Sequence, residues 1–230
     1  MPYTKLLKKC KDCACMSQPF MKLTHEQLVV INKNRVELTF KKGETIIKQG
    51  ALAGHLVYLK GGLVKVFREY ANEELILSLE GRGRMLGIQA LFGKNIYPYS
   101  VYAYNDVSVC MHDLGTIKSF TTENAGFSSQ LLSHLSDEAM FAFDRTACLT
   151  LKQLHGRFAD LLLCLSLRIY KRKVFKVPIS KKEMAAITNM SQESFSRVVK
   201  EFVSEGIIEM KGGEIKILNY EKVRHLSHVG

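Results

Sequence analysis

Residues 180–218 restrict this chain more than any other stretch, because their punctuation leaves few arrangements of short elements. Ser180-Lys-Lys-Glu183 is a capping box: the serine hydroxyl and the glutamate three residues on each satisfy a backbone N–H of the other, which predicts a short helix over 181–187. Thr188-Asn-Met190 reads as a tight turn, and Ser191 as the N-cap of a second helix over 192–205. Phe195, Val198, Val199, Phe202 and Val203 recur at helical spacing as its apolar stripe, with Gln192, Glu193, Ser196, Arg197 and Lys200 opposite. Gly206 ends it, and residues 207–210, Lys211-Gly-Gly213 and 215–218 predict a β-hairpin. Two short helices across a three-residue turn, followed by a hairpin, spell a winged helix-turn-helix. A small helical subdomain with no nucleic-acid role is the competing reading.

Charge favours the first. The chain carries a net charge of +11, and residues 151–230 hold 15 Lys and Arg against 8 Asp and Glu, a net of +7. A basic C-terminal third fits a polyanion, since each phosphate neutralised releases condensed counterions. Arg197 suits guanine O6 and N7, and Glu193 can accept from cytosine N4. A further helix over 154–171, with Phe158, Leu161, Leu162, Leu165 and Ile169, ends in Lys171-Arg-Lys173. That run complements the helix dipole as well as a phosphate backbone.

Upstream the text changes. Thr24-His-Glu-Gln27 predicts a capped helix to about Asn32. Short alternating segments then follow at 57–59, 63–67, 75–79 and 99–110, separated by Gly43, Gly50, Gly61-Gly62, Gly81 and Gly83, which predicts an all-β sandwich or barrel. From about Asn124 the period turns helical, with Leu131, Leu132, Leu135, Ala139, Ala142, Phe143 and Thr146 on one side. Such a helix either lids the β domain or pairs with a twin. The longest apolar runs, such as 161–165, are far too short to span a membrane, and residues 1–9 lack the apolar stretch of a signal peptide. A cytoplasmic protein without membrane contact is expected.

Six cysteines in such a chain argue against a disulfide framework. Cys10, Cys13 and Cys15 crowd together, which points to a metal or redox site; zinc and an unliganded leader are the alternatives. Cys148 and Cys164 fall on helices among Leu and Ala, where a thiol acts as a small hydrophobe. His55, His112, His134 and His155 have no ligand-like spacing, though a single one could hold haem iron. No Cys–His–Asp/Asn set, HExxH pattern or phosphate-binding glycine loop supports an enzyme, whether thiol- or metal-dependent.

Lys42-Gly-Glu-Thr-Ile-Ile-Lys-Gln-Gly50, Val57-Tyr-Leu-Lys-Gly-Gly-Leu-Val-Lys-Val66 and the segment 179–208, with Ser191-Gln-Glu-Ser-Phe-Ser-Arg197 inside it, resemble the cyclic-AMP receptor and fumarate–nitrate reductase regulator (CRP/FNR) family. The resemblance covers nearly the whole chain. It implies an α+β fold: a leader (1–23), a cyclic-nucleotide-binding-like β-roll or jelly roll (24–123), a dimerisation helix (124–151) and a winged helix-turn-helix (152–230). It implies a homodimer joined through Leu132, Leu135, Ala139, Ala142, Phe143 and Thr146, and a transcriptional regulator, not an enzyme, that partners RNA polymerase. Glu193, Ser196 and Arg197 fall on the family's base-reading positions, with Ser191, Gln192 and Lys200 beside them. Gln192 stands where the cyclic-AMP branch has arginine, so the chain looks like an FNR-type reader of double-stranded inverted TTGA…TCAA half-sites.

The same resemblance bears on the effector. The cyclic-AMP branch anchors its ligand with a Gly-Glu pair and an Arg-Ser pair; here the text reads Gly83-Arg84 and Tyr97-Pro-Tyr-Ser100, so both anchors are missing and cyclic AMP is not expected. The redox branch holds a 4Fe–4S cluster on three N-terminal cysteines and one from the β-roll, which maps to Cys10, Cys13, Cys15 and Cys110. Cys13 and Cys15 lie closer together than that branch's last N-terminal pair. Ala142 stands where the FNR-type interface carries an acid whose self-repulsion keeps the apo form apart.

Overall fold

The capping box at Thr24 forms as the sequence predicts: Gln27 N–H donates to Thr24 Oγ1 at 3.3 Å, and Thr24 N–H donates to Gln27 Oε1 at 3.1 Å. Helix α1 (His25–Asn34) follows it. The computed structural model describes residues 16–71 and 73–230, which fall into two units. One comprises residues 16–64 with Glu80–Ala139, the other Lys65–Leu79 with Met140–Gly230.

Eight strands follow α1: β1 (Val36–Phe40), β2 (Thr45–Ile47), β3 (His55–Gly61), β4 (Val64–Tyr70), β5 (Glu73–Glu80), β6 (Met85–Leu86), β7 (Ser100–Ala103) and β8 (Val107–Asp113). In the first unit one sheet runs β1-β8-β3-β6, and β2 pairs antiparallel with β7. Val57 of β3 faces Met111 of β8, and Tyr58 faces Cys110. The alternation over 99–110, expected as one segment, is two strands. Asn105 Oδ1 accepts the Leu63 N–H at 2.8 Å, and the Leu63 carbonyl accepts the Tyr104 N–H at 2.9 Å. This turn sends β7 and β8 to different sheets.

Helix α2 (Leu114–Glu123) has no counterpart in the sequence reading; Asp113 caps it by accepting the Thr116 N–H at 2.7 Å. Asn124 then starts the long helix α3 (Ala125–Leu151), accepting the Phe127 N–H at 2.9 Å while its amide donates to the Lys22 carbonyl and Gln27 Oε1, both at 2.8 Å. Phe127 and Leu131 of α3 are buried in the first unit. Leu131, expected on the same face as Leu132, belongs to this buried side.

In the second unit β4 and β5 are neighbours in a sheet. Helix α4 (Leu154–Leu163) stops earlier than the pattern over 154–171 predicts, because Cys164–Ile169 winds as a π turn in which Tyr170 N–H bonds the Leu165 carbonyl at 2.8 Å. Lys171-Arg-Lys173 therefore follows the helix rather than forming its last turn. It leads into β9 (Val174–Lys176). Then come α5 (Lys181–Ile187), α6 (Gln192–Ser204), β10 (Ile208–Lys211), β11 (Glu214–Ile217) and α7 (Tyr220–Val229). Phe158 of α4 is fully buried, with the Phe195 and Phe202 rings of α6 edge-on at 5.3 and 4.9 Å. Each such phenylalanine contributes about 1.5–3 kcal/mol by leaving water. Among the described residues no helix is long and apolar enough to cross a membrane.

Candidate DNA-binding interface

The capping box at Ser180 forms, with Glu183 N–H donating to Ser180 Oγ at 3.2 Å and Ser180 N–H to Glu183 Oε2 at 3.1 Å. Helix α5 turns at Thr188 to Met190, where Asn189 takes φ +49° and the buried Thr188 hydroxyl donates to the Met184 carbonyl at 2.9 Å. Ser191 Oγ then accepts the Ser194 N–H at 3.1 Å and opens α6. With the cap fixed, the helical period decides the rest. Phe195, Val198, Val199 and Phe202 turn inward, while Gln192, Glu193 and Arg197 are exposed in the first half of the helix and Lys200 one turn on. Ser196 is half-buried and donates its hydroxyl to the Gln192 carbonyl at 2.8 Å. Val203, expected in the apolar stripe, is 43% exposed and lines the groove between α6 and the β10–β11 hairpin. Near the far end of α6 the acids have partners: Glu201 Oε2 lies 2.5 Å from His155 Nε2, and Glu205 pairs with Lys222 at 2.7 Å.

The predicted hairpin is β10–β11. Gly212 and Gly213 both take positive φ, +59° and +81°, which a two-residue hairpin turn of the primed type demands. The sequence missed the third strand, β9, which pairs with β11 and completes the order β10-β11-β9. Lys181, Lys200, Met210 and Gly212 line a groove of about 340 Å³ between α6 and the hairpin. Arg172, Lys173, Lys176, Lys182, Lys211 and Lys216 are exposed in the same unit. An exposed polar helix N-terminus beside cationic side chains suits base edges and phosphates respectively.

Along α3, Leu132, Ala139, Ala142, Phe143 and Thr146 are exposed and Leu135 is half-buried. Leu132, Leu135, Ala139, Ala142 and Thr146 recur at alternating three- and four-residue steps, the spacing that a heptad seam requires. Leu132 and Phe143 are each 66% exposed, a large apolar exposure for a lone helix.

Cys110, expected at the end of a strand, is the fourth of seven residues in β8 and is buried. Cys10, Cys13 and Cys15 lie outside the described residues. The segment just after them is placed: Phe20 is buried, its ring edge-on to the His112 imidazole at 4.8 Å. His112 shares the Cys110 face of β8, two residues along. Burial, with Arg35 adding to it, holds that imidazole neutral, its pKa down to about 4. Cys148 is buried in α3, where burial and a hydrogen bond to Asp160 push its thiol up to about 11. At neutral pH the thiol therefore keeps its proton.

A β-rich domain, a long helix with an exposed apolar seam and a winged helix-turn-helix together define a DNA-binding transcriptional regulator. Residues 37–124 match the cyclic nucleotide-binding domain, and residues 156–226 the Crp-like helix-turn-helix domain. The transcriptional activator protein anr of Pseudomonas aeruginosa is 27% identical over 221 residues, covering 91% of this chain and 88% of that protein. The fumarate and nitrate reduction regulatory protein of Escherichia coli is 24% identical over 226 residues, 95% of this chain and 90% of that one. The structure of FixK2 from Bradyrhizobium japonicum superposes with a TM-score of 0.79 at 19% identity, over 85% of this chain and 98% of that one. The chain belongs to the CRP/FNR family of regulators.

Proposed function

We propose that the protein acts as a homodimer that reads an inverted repeat of TTGA-like half-sites and partners RNA polymerase, with an iron–sulfur cluster as its effector. In this reading residues 1–23 are the leader, 24–123 the β-roll, 124–151 the pairing helix and 152–230 the DNA-binding domain. The observation that carries the DNA-reading part is the exposed face of α6 at its capped end: Gln192, Glu193 and Arg197, with Lys200 one turn on. Arg197 reads guanine, Glu193 reads cytosine, and Ser191, Ser196 and Lys200 complete the contact surface. Arg197→Ala is expected to cost about 1–3 kcal/mol on the specific repeat and to flatten discrimination at the guanine it reads. Titrating the variant against specific and random duplexes tests this. An unchanged affinity ratio removes Arg197 from base reading.

Cyclic AMP does not fit the β-roll. Where an acid and a cation would anchor it, the polar groups bond one another. Arg84 pairs with Glu80 at 2.9 Å. The Tyr99 hydroxyl accepts the Gly87 N–H at 2.8 Å and donates to Gln89 Oε1 at 3.1 Å, and burial pushes its pKa up so that it keeps the proton it donates. The Tyr97 hydroxyl donates to the His55 carbonyl at 2.7 Å, and Ser100 Oγ accepts the Gln49 N–H at 3.0 Å. A cyclic phosphate buried here would lack the cationic partner that a desolvated anion requires. Calorimetry with cyclic AMP is expected to show no binding heat, and micromolar binding would reverse the assignment.

The cysteines fit a 4Fe–4S cluster. Cys110, Cys10, Cys13 and Cys15 would hold it, and when bound it supplies an oxygen-labile link between leader and β-roll. Phe20 anchors the chain over the Cys110 face, and Cys15 lies only five residues earlier, a span of at most about 18 Å. Chain length therefore allows Cys15 to reach β8.

A further inference from the structure

We infer that Arg145 is the positioning residue that fixes the angle of the helix-turn-helix against the pairing helix α3. The inference rests on the proposed homodimer. Arg145 projects from the second half of α3, is largely withdrawn from water, and donates Nη2 to the carbonyl of Ile187. Ile187 is the last residue of α5, so its carbonyl is among those a helix leaves without an internal partner. A guanidinium there also meets the negative end of the helix dipole, and burial strengthens the attraction.

Two further observations make this contact a joint rather than packing. Forty-two residues separate Arg145 from Ile187, so chain connectivity does not set the attitude of α3 to α5. Arg157 of α4 grips the next part of the motif, donating Nη1 to the Asn189 carbonyl at 3.3 Å and Nε to the Lys152 carbonyl at 2.8 Å. The turn that aims α6 is thus held by two guanidinium groups, and the one from α3 is Arg145. Beside it lies a small cavity of about 120 Å³ lined by Leu79, Phe141, Arg145, Cys148 and Cys164. Arg168 bonds the Leu79 carbonyl at 2.6 Å and stacks 4.3 Å from the Phe141 ring, so the end of β5 is tied to the same stretch of α3. Burial lowers the Arg145 pKa, yet from an ordinary value so high that the charge persists at neutral pH.

A residue that aligns two reading heads matters to a two-headed site and not to one head alone. The test compares duplexes carrying the full inverted repeat and a single half-site. Arg145→Ala is expected to weaken full-repeat binding about tenfold while half-site binding stays within about twofold. Arg145→Lys, which can still reach the carbonyl, should recover most of that loss. Thermal unfolding of both variants confirms that the domain still folds, and if the alanine variant does not, Arg145→Gln takes its place in the comparison, with Arg145→Lys again as the rescue. Equal losses on both duplexes, or none, overturn the inference while leaving the dimer intact. If the parent protein gains nothing from the second half-site, the homodimer reading fails first and the inference with it.

Discussion

Ala142→Asp is expected to leave the apo protein monomeric and to weaken binding to the inverted repeat by about a hundredfold or more, the loss that follows when the second contact is no longer intramolecular. Ala142 is exposed and lies on the heptad seam with Leu132, Leu135, Ala139 and Thr146. In a parallel pair of helices a seam residue faces its own copy, so the variant would set two carboxylates against each other in a partly desolvated interface. The native alanine offers no such repulsion. Asp137 and Asp144 are exposed, but both fall two heptad positions away from the seam, where their charge stays in water. The native apo protein should therefore sediment as a dimer at micromolar concentration, with Asp137→Ala changing nothing. A monomeric native apo protein would show that pairing depends on the effector. Because position 142 is exposed on the isolated chain, the substitution should not lower the unfolding temperature of the monomer, which separates lost pairing from lost folding.

What the sequence made legible was what is local. Both capping boxes, at Thr24 and Ser180, form between residues three apart, and the Gly212-Gly213 turn follows from its own torsion requirement. The exposed polar face of α6 was legible for the same reason, since one cap and the helical period place Gln192, Glu193 and Arg197 outward. The misses needed distant partners. The break between β7 and β8 depends on Leu63 reaching Asn105, 42 residues away. The end of α4 depends on an i→i+5 bond from Tyr170 that no composition rule marks. Val203 shares the spacing of its buried neighbours, yet it faces the open groove beside the hairpin. Arg145 was unreadable because nothing near it in sequence names a carbonyl as its partner. On α3, periodicity grouped Leu131 with Leu132, whereas packing sends the first inward and leaves the second on the seam.

Cys110→Ser is expected to abolish iron loading in protein reconstituted without oxygen, the largest single change these residues can produce. The argument turns on where the thiol sits. Cys110 is buried in mid-strand, hydrogen-bonded into β8 between β1 and β3, so it cannot move to meet a ligand; the leader must come to it. Serine keeps the size and the β structure but lacks a thiolate, which iron in a cubane requires. Two leader substitutions, such as Cys10→Ser with Cys13→Ser, should have the same effect. Loss at Cys13 or Cys15 alone tests whether a one-residue spacing supplies two corners of the cluster. Cys148→Ser should leave the iron count unchanged, because its thiol is buried in α3 and hydrogen-bonded to Asp160. Iron and acid-labile sulfide analysis reads all of these directly. Full loading in the Cys110→Ser protein would move the centre off β8 and overturn the four-cysteine set. A colourless native protein, reconstituted under the same conditions, would remove the cluster altogether while leaving the Arg197 and Ala142 predictions standing.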